Sequence, residues 1–204
     1  YDVLGNIYQV DMPMVTDPDT QEVSAPSSSS VVVNGWVMES TDLRGHATSY
    51  TYYPSNHASA GQKHTEVNDI SGTATYTYDD NNNVKTVGRE RTVNGIVITE
   101  IVEYDYDDRD RLTRTTYPDS SYTETIYDLA GNVHTERDRF GVVTDYDHDV
   151  YGRLRLTTYI DGTTEIRDYS NEGLLKNVTD QMAHVTHHDY DKAGRPWKTT
   201  FRDQ

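Results

Sequence analysis

From Tyr106 onward the chain alternates apolar and polar positions in short runs, each broken by a cluster of Asp, Gly, Asn or Pro. Runs such as 153–159 (RLRLTTY) and 163–169 (TTEIRDY) are rich in Thr, Tyr, Leu and Ile, residues that suit a pleated, half-buried surface. A period of two predicts strands. A seven-residue strand rises roughly 23 Å at about 3.3 Å per residue.

The runs belong to one unit of 21 residues, written four times and begun a fifth. The copies open with YDDRDRL at Tyr106, YDLAGNV at Tyr127, HDVYGRL at His148, YSNEGLL at Tyr169 and YDKAGRP at Tyr190. A fixed period of this size marks an array of supersecondary units, each burying itself on its neighbours. The unit reads strand, turn, strand, turn. The predicted fold is all-β: an elongated antiparallel sheet of stacked β-hairpins, curved by strand twist into a spiral shell or a filament wall.

Two turn signals recur. The first is Tyr-Asp-x-x-Gly, carried by Tyr106 and Asp107, Tyr127 and Asp128, Tyr169, and Tyr190 with Asp191. Its last position holds Gly131, Gly152, Gly173 and Gly194, and Gly5 near the start; Asp110 and Asn82 replace glycine in two copies. These residues tolerate positive φ best, so the position is expected in the left-handed region. The second signal is Pro118-Asp119-Ser120, Phe140-Gly141 and Asp161-Gly162, with Asp-Gly predicting a hairpin turn. A tyrosine row (Tyr50 and Tyr52, Tyr76 and Tyr78, Tyr104 and Tyr106, Tyr146 and His148, His188 and Tyr190) and an apolar row (Leu112, Val133, Leu154, Leu175) are expected to serve as the core.

Before Tyr106 the pattern is degenerate. Residues 1–11 open a unit; 12–30, with Pro13, Pro18, Pro26 and four serines, read as an inserted loop. Asn34-Gly35 between two apolar triplets predicts a two-residue hairpin turn. Residues 41–53 align with 179–191, and 54–70 read as a second irregular insertion. The unit 78–105 is longer by seven residues, which fit a longer hairpin around Asn94-Gly95. The division is therefore 1–105, degenerate repeats with inserted loops, and 106–204, regular repeats. The chain opens in mid-motif and ends within a unit, which reads as a fragment of a longer protein.

Composition narrows the function. Of 204 residues, 34% are hydrophobic, and the mean hydropathy is −0.83. That is thin material for a thick core and sufficient for a layered sheet. The formal charge of −16 disfavours nucleic acid, whose phosphates require clustered Lys and Arg. Cysteine is absent, so no disulfide is needed in either redox compartment. No apolar run is long enough to span a membrane as a helix.

The residues YDLAGNV, HDVYGRL with the Asp161-Gly162 turn, and YDKAGRP resemble the RHS or YD-repeat family, across about three quarters of the chain. The resemblance implies bacterial Rhs polymorphic toxins, the C component of toxin complexes, wall-associated proteins or teneurin-like shells. In these the repeats wind into a hollow β-shell without chemistry of their own. It also implies a secreted or cell-surface setting, with neighbouring repeats, a toxin cargo, glycans or like subunits as partners. The family's shell-closing Asp-Pro-x-Gly-Leu segment is not matched: Asp17-Pro18 is followed by Asp19-Thr20. No protease activity is carried over.

Three places hold side chains that could ligate a metal. Asp79, Asn81, Asn83 and Glu90 take calcium-loop positions, but Val84 stands where that loop needs Gly. Asp145, Asp147 and Asp149 alternate along one run, and His184, His187 and His188 cluster. Solvated carboxylates and ordinary strand positions account for all three, so the reading is no cofactor, no metal and no catalytic set. It is a non-enzymatic β-wall; the alternative is a carbohydrate- or partner-binding module using its Tyr and Trp rings.

Overall fold

The computed structural model describes residues 9–11, 15–16, 23–24, 27–68 and 70–202. Among them there is no helix; every regular element is a strand. The chain divides into two compact units, 1–104 and 105–204.

The first unit holds β1 (Gln9–Asp11), β2 (Val15–Thr16), β3 (Val23–Ser24), β4 (Ser27–Val33), β5 (Trp36–Thr41), β6 (Ala47–Tyr52), β7 (Lys63–Asn68), β8 (Gly72–Tyr78), β9 (Val84–Val93) and most of β10 (Ile96–Tyr106). Strands β4 to β10 pair antiparallel with their neighbours in sequence. Strand β1 adds to β4, and β2 with β3 forms a separate short ladder.

The second unit continues in the same way through β11 (Leu112–Thr116), β12 (Tyr122–Tyr127), β13 (Val133–Arg137), β14 (Val143–His148), β15 (Leu154–Thr158), β16 (Thr164–Tyr169), β17 (Leu175–Thr179), β18 (Val185–Tyr190) and β19 (Pro196–Arg202). Each strand pairs antiparallel with the next. Stacked hairpins, two strands per 21 residues, build the sheet.

Two segments read as loops are shorter than expected. Residues 27–30 are the start of β4, with Ser28 opposite Val10 and Ser29 opposite Thr41. Residues 63–68 form β7 between β6 and β8. A serine run in β4 and the mostly polar sequence of β7 hide a strand from a hydropathy reading, because ladder bonds use only the backbone. Gly5 and Asp17-Pro18 lie outside the described residues.

The turns differ from expectation in kind. The two-residue hairpin turn occurs at Asn34-Gly35 and Asn94-Gly95, with φ of 51° and 83°, and 51° and 80°. Asp161-Gly162 instead closes a three-residue loop. Gly162 N donates to Tyr159 O at 2.8 Å, and Tyr159 N donates to Thr163 O at 2.9 Å. The loop is a type I turn followed by one left-handed residue, the usual three-residue hairpin connection. The Tyr-Asp-x-x-Gly turns are built identically: Gly131 N reaches Asp128 O, and Asp128 N reaches Asn132 O. Both ends of every hairpin in the regular part thus use one turn. Its left-handed position holds Gly131, Gly152, Gly173 and Gly194 at one end, and Ser120, Gly141, Gly162 and Ala183 at the other.

A second regularity escaped the sequence. At each opening aromatic the register slips: Ile126 faces Thr135, but Tyr127 faces Val133. The same slip recurs at His148, Tyr169 and Tyr190, and at Tyr52 and Tyr78 in the first unit. The partner strand carries one extra residue: His134, Arg155, Lys176 or Trp197. A bulge bends its strand and increases local twist, so one per repeat curves the sheet in steps.

The expected core is not a second layer. Ala74, 1% exposed, is the one buried apolar side chain among the described residues, and Leu112 of the apolar row is 41% exposed. Thr115 and Thr157 are buried instead. The sheet is held by strand ladders, turns and side chains lying along its surface. Turn geometry therefore sets stability. Gly152 has φ +77°, and an added Cβ would sit 3.2 Å from Asn132 Oδ1. Gly152→Val is expected to cost more than about 1 kcal/mol, read as a lower urea midpoint. Ala183→Gly, at φ 64°, is expected to raise the midpoint. Equal effects of the two changes would contradict the turn assignment.

Candidate functional site

The recurring chemistry lies at the Tyr-Asp-x-x-Gly end of the hairpins. There Tyr106 ends β10, and Asp107 begins the turn. Asp107 Oδ1 accepts from Arg109 N at 2.9 Å and Arg111 N at 3.1 Å. Its Oδ2 accepts from Arg111 Nε at 2.8 Å, with Arg111 Nη2 at 2.6 Å. One oxygen caps the turn backbone, and the other holds the side chain four residues on in a two-toothed ion pair. Asp149 with Arg153 and Asp191 with Arg195 repeat the arrangement. Asp128 does the same with Asn132, whose amide donates at 3.0 Å.

The arginine also faces the next repeat. Arg111 lies 3.8 Å from the centre of the Tyr127 ring, and its Nη1 donates to Gly131 O at 3.2 Å. Arg153 lies 4.4 Å from the Tyr169 ring. The tyrosine hydroxyls close the contact by donating to Leu112 O at 3.3 Å and Leu154 O at 2.9 Å. A guanidinium over a ring contributes about 0.5–1 kcal/mol at an exposed site. The expected row of ring against ring is thus replaced here by arginine against tyrosine. The arginine directly follows the left-handed turn position in YDDRDRL, HDVYGRL and YDKAGRP, held by Asp110, Gly152 and Gly194, yet period and hydropathy give no reason to pair it across repeats.

Site residues without arginine show the same position filled differently. Gly173 stands beside Arg153, and Gly194 beside Leu174, so the residue after the turn always packs against the next repeat's glycine. Tyr190 ends β18, paired with Pro196. His148 occupies the tyrosine position but has no hydroxyl, and its Nδ1 is buried without a hydrogen-bond partner.

The first tyrosine of each pair has another use. Tyr146 donates to Glu136 Oε2 at 2.8 Å, and Tyr76 to Glu66 Oε2 at 3.1 Å. Burial, then the Glu136 bond, pushes the Tyr146 phenol up to about 12. In the first unit, Tyr53 stacks on His57 at 4.1 Å and contacts His64 at 4.4 Å, holding the 54–62 segment against the sheet.

The metal candidates are spread apart or committed. Asp79 caps its own turn through Asn81 N and Asn83 N at 2.9 Å, while Glu90 faces Thr99 in β9. Asp145 accepts from Thr135 Oγ1 at 2.8 Å, and Asp149 belongs to Arg153. His184 pairs with Asp180 at 3.2 Å, and His187 lies between Asn177 and Asp189. No group of three metal-binding side chains converges among the described residues. An open cleft of about 700 Å³, lined in part by Leu174, Lys176, His188, Tyr190 and Lys192, lies in the second unit.

No family model matches the chain, and no curated protein matches it. Solved structures do. A crystal structure of TcdB2-TccC3-Cdc42 superposes with a TM-score of 0.66 at 16% identity, covering 98% of this chain and 12% of that one. The chain has their fold. TcdB2-TccC3 matches at a TM-score of 0.56 and 10% identity, over 88% of this chain and 12% of the other. TcdB2-TccC3 without its hypervariable C-terminal region gives 0.56 and 11%, over 86% and 11%. This chain therefore spans about an eighth of the length of the TcdB2-TccC3 chains it matches. No helix among the described residues is long and apolar enough to cross a membrane.

Arg111 holds the Asp107 carboxyl down to about 2, chiefly by its side-chain hydrogen bond, with burial opposing and the turn N–H groups assisting. A depressed carboxyl stabilises the fold above its unfolded value near 3.9 and loses that contribution as pH falls toward about 2. Arg111→Met is expected to raise the Asp107 midpoint in an NMR titration; an unchanged midpoint would contradict the pairing. His148→Tyr should supply the hydroxyl that Tyr127 and Tyr169 use. It is expected to stabilise by about 0.5–2 kcal/mol, in the manner of a consensus substitution, read from the urea midpoint.

Proposed function

We propose that this chain is a non-enzymatic segment of β-wall in a larger RHS or YD-repeat protein, acting by shape. Its role is to form part of a shell around a toxin cargo, or part of an extended cell-surface assembly. Its partners are neighbouring repeats of the same longer chain and the cargo, and its setting is secreted or cell-surface. The observation that carries this reading is the use of the repeat's polar groups. Asp107, Arg111, Tyr127 and their equivalents are spent on joining one repeat to the next. Catalysis needs a single non-repeated set of groups held in place, whereas a unit satisfied by its neighbours builds area. The likeness to one part of much longer chains supports the same reading.

Exposed rings give the alternative a specific footing. Trp197 is 70% exposed and Tyr151 80% exposed, and such faces suit sugars. A glycan array followed by titration separates the two readings. The wall reading expects no saturable binding. Saturable binding abolished by Trp197→Ala or Tyr151→Ala would establish the binding module in its place.

A further inference from the structure

Three turns in this chain carry the Asx-Gly dipeptide: Asn34-Gly35, Asn94-Gly95 and Asp161-Gly162. The structure treats them differently. Asn34 and Asn94 stand at exposed hairpin tips with φ of 51°, and neither amide side chain has a hydrogen-bond partner among the described residues. The space around Gly35 and Gly95 is open, with nothing within 4 Å of an added Cβ. The support behind the Asn94 tip is thin. Strand β8 pairs with β9 only as far as Arg89, while β9 and β10 continue pairing out to Val93 and Ile96. Ile96 and Val97 on that arm are 65% and 61% exposed. Behind the Asn34 tip, β5 pairs with β6 only at Glu39, Ser40 and Thr41, but Trp36 packs on Tyr52 at 4.7 Å and Tyr52 donates to Val37 O at 2.7 Å, so this tip is the better held of the two. A two-stranded hairpin is marginal in water and opens readily.

We infer that Asn94 and Asn34 are sites of spontaneous deamidation, with water as co-reactant, and that the isoaspartyl product opens the hairpin tip. The backbone nitrogen of Gly95 attacks Cγ of Asn94. A new N–C bond closes a five-membered succinimide as the amide nitrogen leaves as ammonia. Water then adds to either ring carbonyl, giving aspartate or isoaspartate. Glycine permits the approach because no side chain crowds its nitrogen. Isoaspartate routes the backbone through Cβ, adding an atom to a turn whose two residues set the register of Val93 opposite Ile96.

The remaining Asx-Gly site is guarded. Asp161 Oδ1 accepts from Thr163 N at 2.9 Å and Thr163 Oγ1 at 2.6 Å. Those bonds hold it as a carboxylate, which is a poor electrophile. Asn83, Asn132 and Asn177 precede valine, and their amides are bonded to Asp79, Asp128, and both His187 and Asp168.

The test ages the purified 204-residue chain at mildly alkaline pH, folded and in urea, followed by peptide mapping and enzymatic isoaspartate labelling. In the folded chain, ammonia loss and label are expected at positions 34 and 94, more slowly in mild acid, with Asp161 unlabelled. In urea, label is expected at 161 as well. Hydrogen exchange of residues 90–99 should quicken in the aged chain. It should stay at the rate of the unaged chain in Asn94→Asp, which has the same charge on an ordinary backbone. No modification at 34 or 94 in the folded chain, over a period that modifies the unfolded one, would overturn the proposal. So would Asp161 labelling as fast folded as unfolded.

Discussion

The structure depends on one three-residue turn. A type I turn closed by a left-handed residue reverses the chain at both ends of each regular hairpin. Aspartate secures it in two ways. At the first turn position, as in Asp149, its Oδ1 takes the N–H groups of the third and fifth residues. At the third position, as in Asp119 and Asp161, it takes the N–H and the hydroxyl of the Ser or Thr at the fifth. Both satisfy backbone donors that the ladder leaves over. Much of the chain's acidity is thereby structural, and Asp119, held mainly by Ser121 and then Arg139, is also drawn down to about 2.

Because the turn is fixed, the repeat can dispense with a second layer. Backbone ladders cross the sheet, and the side chain after the turn extends to the following repeat's tyrosine or glycine. Each link is worth little by itself, since exposed ion pairs contribute about 0–1 kcal/mol. Repetition adds them along one dimension. The bulge recurs at the opening aromatic of the regular repeats, where it bends its strand locally. A sheet built this way gains area with length.

The all-β class, the period and the left-handed glycine position were legible because they rest on spacing and on φ, which residue type restricts directly. The bulge was not legible: His134, Arg155 and Lys176 are basic but Trp197 is not, and their role is set by the partner strand. The Arg111–Tyr127 link was hidden for a related reason. Its members lie in different repeats, so no local pattern joins them. Strand β4 was masked by its four serines, and the apolar row suggested a core that a single-layer sheet does not have.

Removing one whole repeat tests the claim that each repeat is held by its immediate neighbours. Deleting residues 127–147 joins Ile126 to His148 and restores the same bulge position and the same turn. Far-ultraviolet circular dichroism with urea unfolding is the measurement. The account predicts an unchanged β spectrum and a modestly lower midpoint, while a deletion of half a repeat collapses the fold. Loss of the fold in the whole-repeat deletion, or equal damage from both, would contradict it.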